Sequence, residues 1–147
     1  MSTTDIPIRP ATAADGPAVR ALLLGASLPL DGVPDDVANF IVAERGGQVV
    51  GAIGLERHGA VGLLRSAVVS PSARGTGIGE ALVRALLAQA RTDAITELVL
   101  LTTTADRWFP RFGFAPIARH DVPAALGASA ELRGACPASA VVMRRTL

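Results

Sequence analysis

The chain has 147 residues, half of them apolar, and a formal net charge of +1 at pH 7. That length and apolar share suffice for one domain, residues 1–147, whose core closes without metal or disulfide. A near-neutral chain with no block of like charge argues against nucleic acid as a partner, and a lone cysteine, Cys136, rules out an internal disulfide or a cysteine-rich metal or arsenic site within one chain.

Met1-Ser2-Thr3-Thr4 opens the chain without a secretory leader pattern, and the longest apolar stretch, Val49 to Leu55, is far too short to span a membrane. A cytoplasmic protein is the expectation, and the single cysteine fits a reducing compartment. Ile6 to Pro10 reads as a short first strand. Thr12 then caps a helix with apolar positions at Ala14, Val19, Leu22 and Leu23, ending near Gly25. Ser27 to Asp36 is rich in Pro and Gly and reads as a loop, either the rim of a substrate mouth or a plain connector.

Three strands follow near 39–45, 48–56 and 61–69, separated by Gly46-Gly47 and His58-Gly59, which predicts an antiparallel meander. A helix runs to about Ala90 with Ile78, Leu82 and Leu86 on one face and Glu80 and Arg84 paired outside. Glu97 to Thr103 predicts a buried strand, Ala105 to Arg111 a short helix, and Phe114 to Ala118 another strand. After a Pro-, Gly- and Ala-rich stretch from Pro123 to Pro137, the segment from Ser139 predicts a last strand.

The most telling segment joins the third meander strand to its helix. Gly75, Gly77 and Gly79 permit backbone torsions and close ligand approach that a Cβ would block, and the helix after them aims free N–H groups and its positive dipole end at the turn. A phosphate or pyrophosphate fits such a place, the alternative being a glycine-rich helix entry that holds no ligand. A P-loop is excluded because all 14 basic residues are arginine, and a dinucleotide fingerprint has different glycine spacing and follows a first parallel strand. The absence of lysine and tyrosine also removes a lysine Schiff base and a tyrosine acid from the chemistry.

Arg74-Gly75-Thr76-Gly77-Ile78-Gly79, preceded by Ala67-Val68-Val69-Ser70-Pro71, resembles the cofactor signature of the GNAT superfamily of N-acetyltransferases. Ala105-x-x-Trp108-Phe109-x-x-x-Gly113-Phe114 resembles a second motif of that family. The resemblance implies a mixed α/β (α+β) fold with a mostly antiparallel sheet of six to seven strands and helices on both faces. It further implies acetyl-CoA as co-substrate, no metal, and a homodimer as an assembly known in the family. The cofactor would contact Ala67, Val68, Val69, Arg74, Gly75, Thr76, Gly77, Ile78, Gly79, Glu80, Thr102 and Phe109. Where many members carry a tyrosine that protonates the leaving thiolate, this chain has Phe109, so the thiol must leave as thiolate or be protonated by water.

Three further segments, 63–66, 101–109 and 131–140, resemble the N-acetyltransferases encoded in bacterial arsenic-resistance operons, themselves similar to the acetyltransferase domain of N-acetylglutamate synthase. Both imply an amino-acid-like acceptor, and the operon members imply a toxic organoarsenical amino acid.

Acetyl transfer to an amine needs a neutral amine, a positioned carbonyl and a donor for the developing oxyanion. A backbone N–H near Val68 is the expected donor. Glu56, at the end of the third strand, is the expected base, with an exposed hairpin glutamate as the alternative; His120 and Asp121 are weaker choices, and His58 reads as solvated. Arg65 with Ser66, and Arg133 with Ser139, are expected at the acceptor, arginine offering a fork for its carboxylate. An ion pair between Arg65 and Glu56 is the competing reading for that arginine, and it would hold Glu56 ionised. Cys136 reads as a packed residue rather than a nucleophile. An acyl-CoA-binding sensor without catalysis, and an enzyme acting on a protein N-terminus or an antibiotic, are the alternatives.

Overall fold

A computed structural model describes residues 7–129, 132 and 139–147. The strands are β1 (Ile8–Pro10), β2 (Phe40–Arg45), β3 (Gln48–His58), β4 (Val61–Val69), β5 (Glu97–Thr102), β6 (Ala115–Ile117) and β7 (Val141–Thr146), and the α-helices are α1 (Gly16–Gly25) and α2 (Ile78–Thr92). All seven strands share one sheet in the order β1-β2-β3-β4-β5-β7-β6, antiparallel throughout except where β4 meets β5. This is the mixed, mostly antiparallel fold expected. No described helix is long and apolar enough to cross a membrane.

The two faces of the sheet are covered by different helices because the strands carry apolar side chains on both. Ile78, Leu82 and Leu86 of α2 pack on Ile53, Leu55, Leu64, Leu98, Leu100 and Met143. Val19 and Leu23 of α1 pack on Phe40, Val42, Ala52 and Val68. Each such side chain, fully buried, contributes about 1.5–3 kcal/mol. Glu80 and Arg84 make the expected pair on the outer face of α2, at 2.8 Å.

Two local expectations are corrected. Thr12 is the N-cap expected, but the turn it caps, Ala13–Asp15, is 3-10, so α1 begins only at Gly16; the Asp15 carboxylate accepts from the Thr12 N–H at 2.7 Å as one half of a capping box. Ala105 to Arg111 does not form the expected helix: a turn leads to a 3-10 segment at Phe109–Phe112, ended by Gly113 in the left-handed region at φ 85°. Pro110 inside that stretch cannot donate the N–H that an α-helical turn needs.

Parallel pairing of β4 with β5 covers only Val61–Leu63 against Glu97–Val99. Beyond it β5 stays bound along its whole length to β7, while β4 stays with β3. The sheet therefore splits, leaving 64–69 and 100–102 as facing, unpaired edges. On β4 this edge is further bent, because Ser66 and Ala67 together oppose Ile53 between the pairs Gly54↔Arg65 and Ala52↔Val68. Ser66 adopts φ 57° in that bulge.

Candidate active site

A cavity of about 370 Å³ occupies the split. Its walls include Ala67, Val68 and Val69 of β4, Thr102 of β5, Phe109, and Gly79 and Leu82 of α2, so six of the residues expected at the cofactor converge on it. Ser27, Leu28 and Pro29 close it on the opposite side of the sheet, beside Arg65 and Ser66. The cavity thus passes through the sheet, with one mouth at α2 and the other at the loop after α1. Of the two readings of that loop, the rim of a mouth is the one its position matches.

At the α2 mouth the glycine turn has the form its sequence predicts. Gly75 and Gly77 lie at φ 79° and 83°, a region where a Cβ is strained, and Gly77 caps α2. The first backbone bond of the helix runs from the Ala81 N–H to the Gly77 carbonyl at 3.1 Å, so the N–H groups of Ile78, Gly79 and Glu80 have no partner within the helix. The Ile78 side chain points instead into the core and fixes the first turn. Thr76 donates its hydroxyl to the Ala73 carbonyl, closing the loop from below. A Cβ on Gly79 would sit 3.5 Å from Cζ2 of Trp108, in ordinary contact, so this glycine keeps the mouth open rather than relieving a clash. Trp108 stacks edge-on against Phe109 and Phe112, and the Arg111 guanidinium lies 5.5 Å over its ring. Sequence reading took Trp108 only as part of a motif; its place over Gly79 is a tertiary fact.

Which strand amides face the cavity follows from the ladder. The Ser70 N–H donates to the Val50 carbonyl at 2.7 Å, and alternation turns Val68, two residues earlier, the same way, toward Ala52 on β3. Ala67 and Val69 then present their N–H and C=O groups to the open edge. Val69 bears this out, since its carbonyl accepts from Arg74 Nε at 3.4 Å on that side. The amides available near Val68 are therefore those of its two neighbours.

Toward the other mouth lies a polar cluster in an otherwise apolar sheet. The Arg65 side chain is fully buried; Nη1 donates to Glu56 Oε2 at 2.7 Å, Nε to Ser66 Oγ at 3.0 Å, and Nη2 to the Pro29 carbonyl at 3.4 Å. Of the two readings for this arginine, the ion pair with Glu56 is present. His58 Nε2 lies 3.0 Å from Glu56 Oε1, and both side chains are largely covered, so His58 is a hydrogen-bond partner of Glu56 and not the solvated hairpin residue expected. Burial, the largest single influence, pushes the Glu56 carboxyl upward, but hydrogen bonds from Arg65 and His58 outweigh it and hold the group below the usual glutamate range. The buried Ser129 hydroxyl adds to that pull from beyond hydrogen-bond geometry.

Ser139 is exposed, although its neighbour Ala140 lines the cavity. His120 and Asp121 lie exposed on the surface, 3.6 Å apart and outside the cavity. Arg133 and Cys136 lie outside the described residues.

Residues 36–116 match the acetyltransferase (GNAT) domain family. An amino-acid acetyltransferase of Ralstonia nicotianae is 36% identical over 90 residues, which is 60% of this chain and 20% of that protein. The chain thus spans about a fifth of the length of the curated relatives it matches. Among solved structures, a Mycobacterium tuberculosis protein described in complex with CoA superposes with a TM-score of 0.79 at 25% identity, covering 96% of this chain and 99% of that one. N-acetylglutamate synthase from Neisseria gonorrhoeae, complexed with coenzyme A and L-arginine, gives 0.79 at 26% identity, covering 97% of this chain and 33% of the other.

Proposed function

Because the chain belongs to the GNAT acetyltransferase domain family, we propose that it transfers the acetyl group of acetyl-CoA to the amine of a small amino-acid-like molecule, by direct attack with both substrates bound. The observation that carries this reading is the cavity running through the split sheet, with a glycine-capped helix N-terminus at one mouth and a loop-covered polar cluster at the other. A pyrophosphate on the amides of 78–80 leaves the pantetheine arm to run along the open edge of β4, where Val69 and Ala67 supply strand-like hydrogen bonds. The thioester then lies at the bulge, and the Ala67 N–H is the backbone donor for its carbonyl oxygen. A fixed dipole there stabilises the oxyanion without reorganising as charge develops.

The acceptor enters past Ser27 to Pro29. Its amine, with an ordinary α-amino pKa of about 7.7–8.0, is already partly neutral at pH 7. Glu56, held ionised by Arg65, is a weak base, so the pH dependence follows the amine. An acceptor carboxylate would meet Arg65 only in competition with Glu56, which leaves Arg65 chiefly as the residue that fixes Glu56 and Ser66, with Arg133 as the remaining fork for the carboxylate. Phe109 provides no acid; the coenzyme thiol is far more acidic than an alcohol, leaves as thiolate and takes its proton from water. The similarity to amino-acid acetyltransferases supports an amino-acid acceptor, glutamate included. An organoarsenical amino acid and a role in arsenic resistance rest on the sequence resemblance.

Thiol release from acetyl-CoA, measured with a panel of amino acids, glutamate analogues, and arsenical and phosphinic amino acids, tests this. Turnover with at least one α-amine is expected; tight acetyl-CoA binding with no turnover across the panel would favour the acyl-CoA sensor that the missing tyrosine brings into view.

A further inference from the structure

We propose that the Ser66 hydroxyl is a second donor to the thioester carbonyl oxygen, completing with the Ala67 N–H a two-point oxyanion site; this rests on acetyl-CoA binding in the split sheet. Ser66 is 8% exposed and lines the cavity. It stands at φ 57°, where an L-residue is strained by roughly 1–2 kcal/mol, within a bulge that places it directly before the cavity-facing amide of Ala67. Its Oγ accepts from Arg65 Nε at 3.0 Å, and none of the described hydrogen bonds uses its own hydrogen. Arg65 in turn is held by Glu56 and the Pro29 carbonyl, so the hydroxyl oxygen is pinned from one side by a buried cation.

That arrangement has a directional consequence. With a lone pair of Oγ engaged by a charged donor, the hydroxyl hydrogen is turned away from Arg65, and the O–H is polarised into a stronger donor than a free serine. The neighbouring wall is the cavity. During transfer the amine nitrogen forms a bond to the carbonyl carbon while the C=O π pair moves onto oxygen. Ser66 O–H and Ala67 N–H hydrogen-bond that oxygen without giving up their protons. When the pair returns, the C–S bond breaks, CoA departs as thiolate, and the ammonium proton passes to water.

Ser66→Gly is the suited variant, because glycine accepts φ 57° without strain and removes the hydroxyl together with its Cβ. Relief of the strain at φ 57° offsets part of the loss of an acceptor for the buried Arg65 Nε, so the variant should stay folded with a modest change in melting temperature; its acetyl-CoA Kd from calorimetry should stay within about threefold, and its kcat should fall by about 10² or more, the usual effect of deleting one oxyanion donor. Difference infrared spectra with acetyl-CoA carrying a labelled carbonyl supply a readout that needs no acceptor: the parent should lower the carbonyl stretch relative to free acetyl-CoA, and Ser66→Gly should move it back toward the solution value. Ser66→Ala, which keeps the Cβ, should give the same spectral change if the glycine variant folds poorly. An unchanged stretch in both variants, or a kcat within threefold of the parent, overturns the proposal. A parent that binds acetyl-CoA and shifts the stretch but turns over no amine refutes the acceptor reading alone, and a parent that does not bind acetyl-CoA refutes both.

Discussion

Arg9 reaches Asp15 with both arms of its guanidinium, Nη1 to Oδ2 at 2.7 Å and Nη2 to Oδ1 at 3.0 Å, while the Thr12 N–H donates to the same carboxylate. These bonds, the Arg9 contact foremost, hold the Asp15 carboxyl down at about 2. A depressed carboxyl contributes stability above its unfolded pKa, near 3.9, and loses that contribution as pH falls through its folded value. Melting temperature should therefore drop between about pH 4 and pH 2, and Asp15→Asn should melt lower at pH 7 while flattening that drop. Glu56, on β3, works in the same direction, its carboxyl also being held down. Glu56→Gln removes the carboxylate 2.7 Å from the fully buried Arg65 guanidinium and should lower stability in urea unfolding. In turnover assays of the parent, the rising limb of kcat/KM should follow the acceptor amine near pH 8, and any limb from Glu56 should lie below the usual glutamate range, because Arg65 and His58 hold its carboxyl down.

At the scale of elements, α2 and the turn before it separate two uses of glycine that look alike in the sequence. Gly77 caps the helix at φ 83°, so Gly77→Val strains the backbone and should lower both the melting temperature and acetyl-CoA affinity. Gly79 is an ordinary helical residue with room for a Cβ in contact with Trp108. Gly79→Leu should fold with a nearly unchanged melting temperature yet lose acetyl-CoA binding by calorimetry, because the side chain would fill the mouth. Equal behaviour of the two variants would count against a cradle at that turn. Both glycines, and the pairing of Glu80 with Arg84, were legible from spacing alone. The bulge in β4 was not, since Leu63 to Val69 reads as an even strand, and only the pairing with β3 reveals that Ser66 and Ala67 share one partner. The 3-10 segment at Phe109–Phe112 departs from the helix that its apolar spacing suggests, because Pro110 lacks the N–H that a continuous α-helical turn needs.

Taken as a whole, the molecule is a sheet held open along one seam. A ligand that binds only the folded seam stabilises by mass action, about 2.7 kcal/mol at a concentration one hundred times its Kd. Saturating acetyl-CoA should accordingly raise the melting temperature by several degrees, and CoA without the acetyl group should do nearly the same if the pyrophosphate cradle supplies most of the affinity. The sequence by itself determined α2, the body of α1, the meander and the glycine turn, because each is written in local periodicity and in torsions that a few residue types can adopt. Tertiary structure alone decided that β4 and β5 part after three residue pairs, that the cavity therefore crosses the sheet, and that Arg65 spends its charge on Glu56, His58's partner. Those outcomes depend on which distant strand claims each backbone edge and on which charges burial brings within hydrogen-bond reach, and neither is encoded in the spacing of neighbours along the chain.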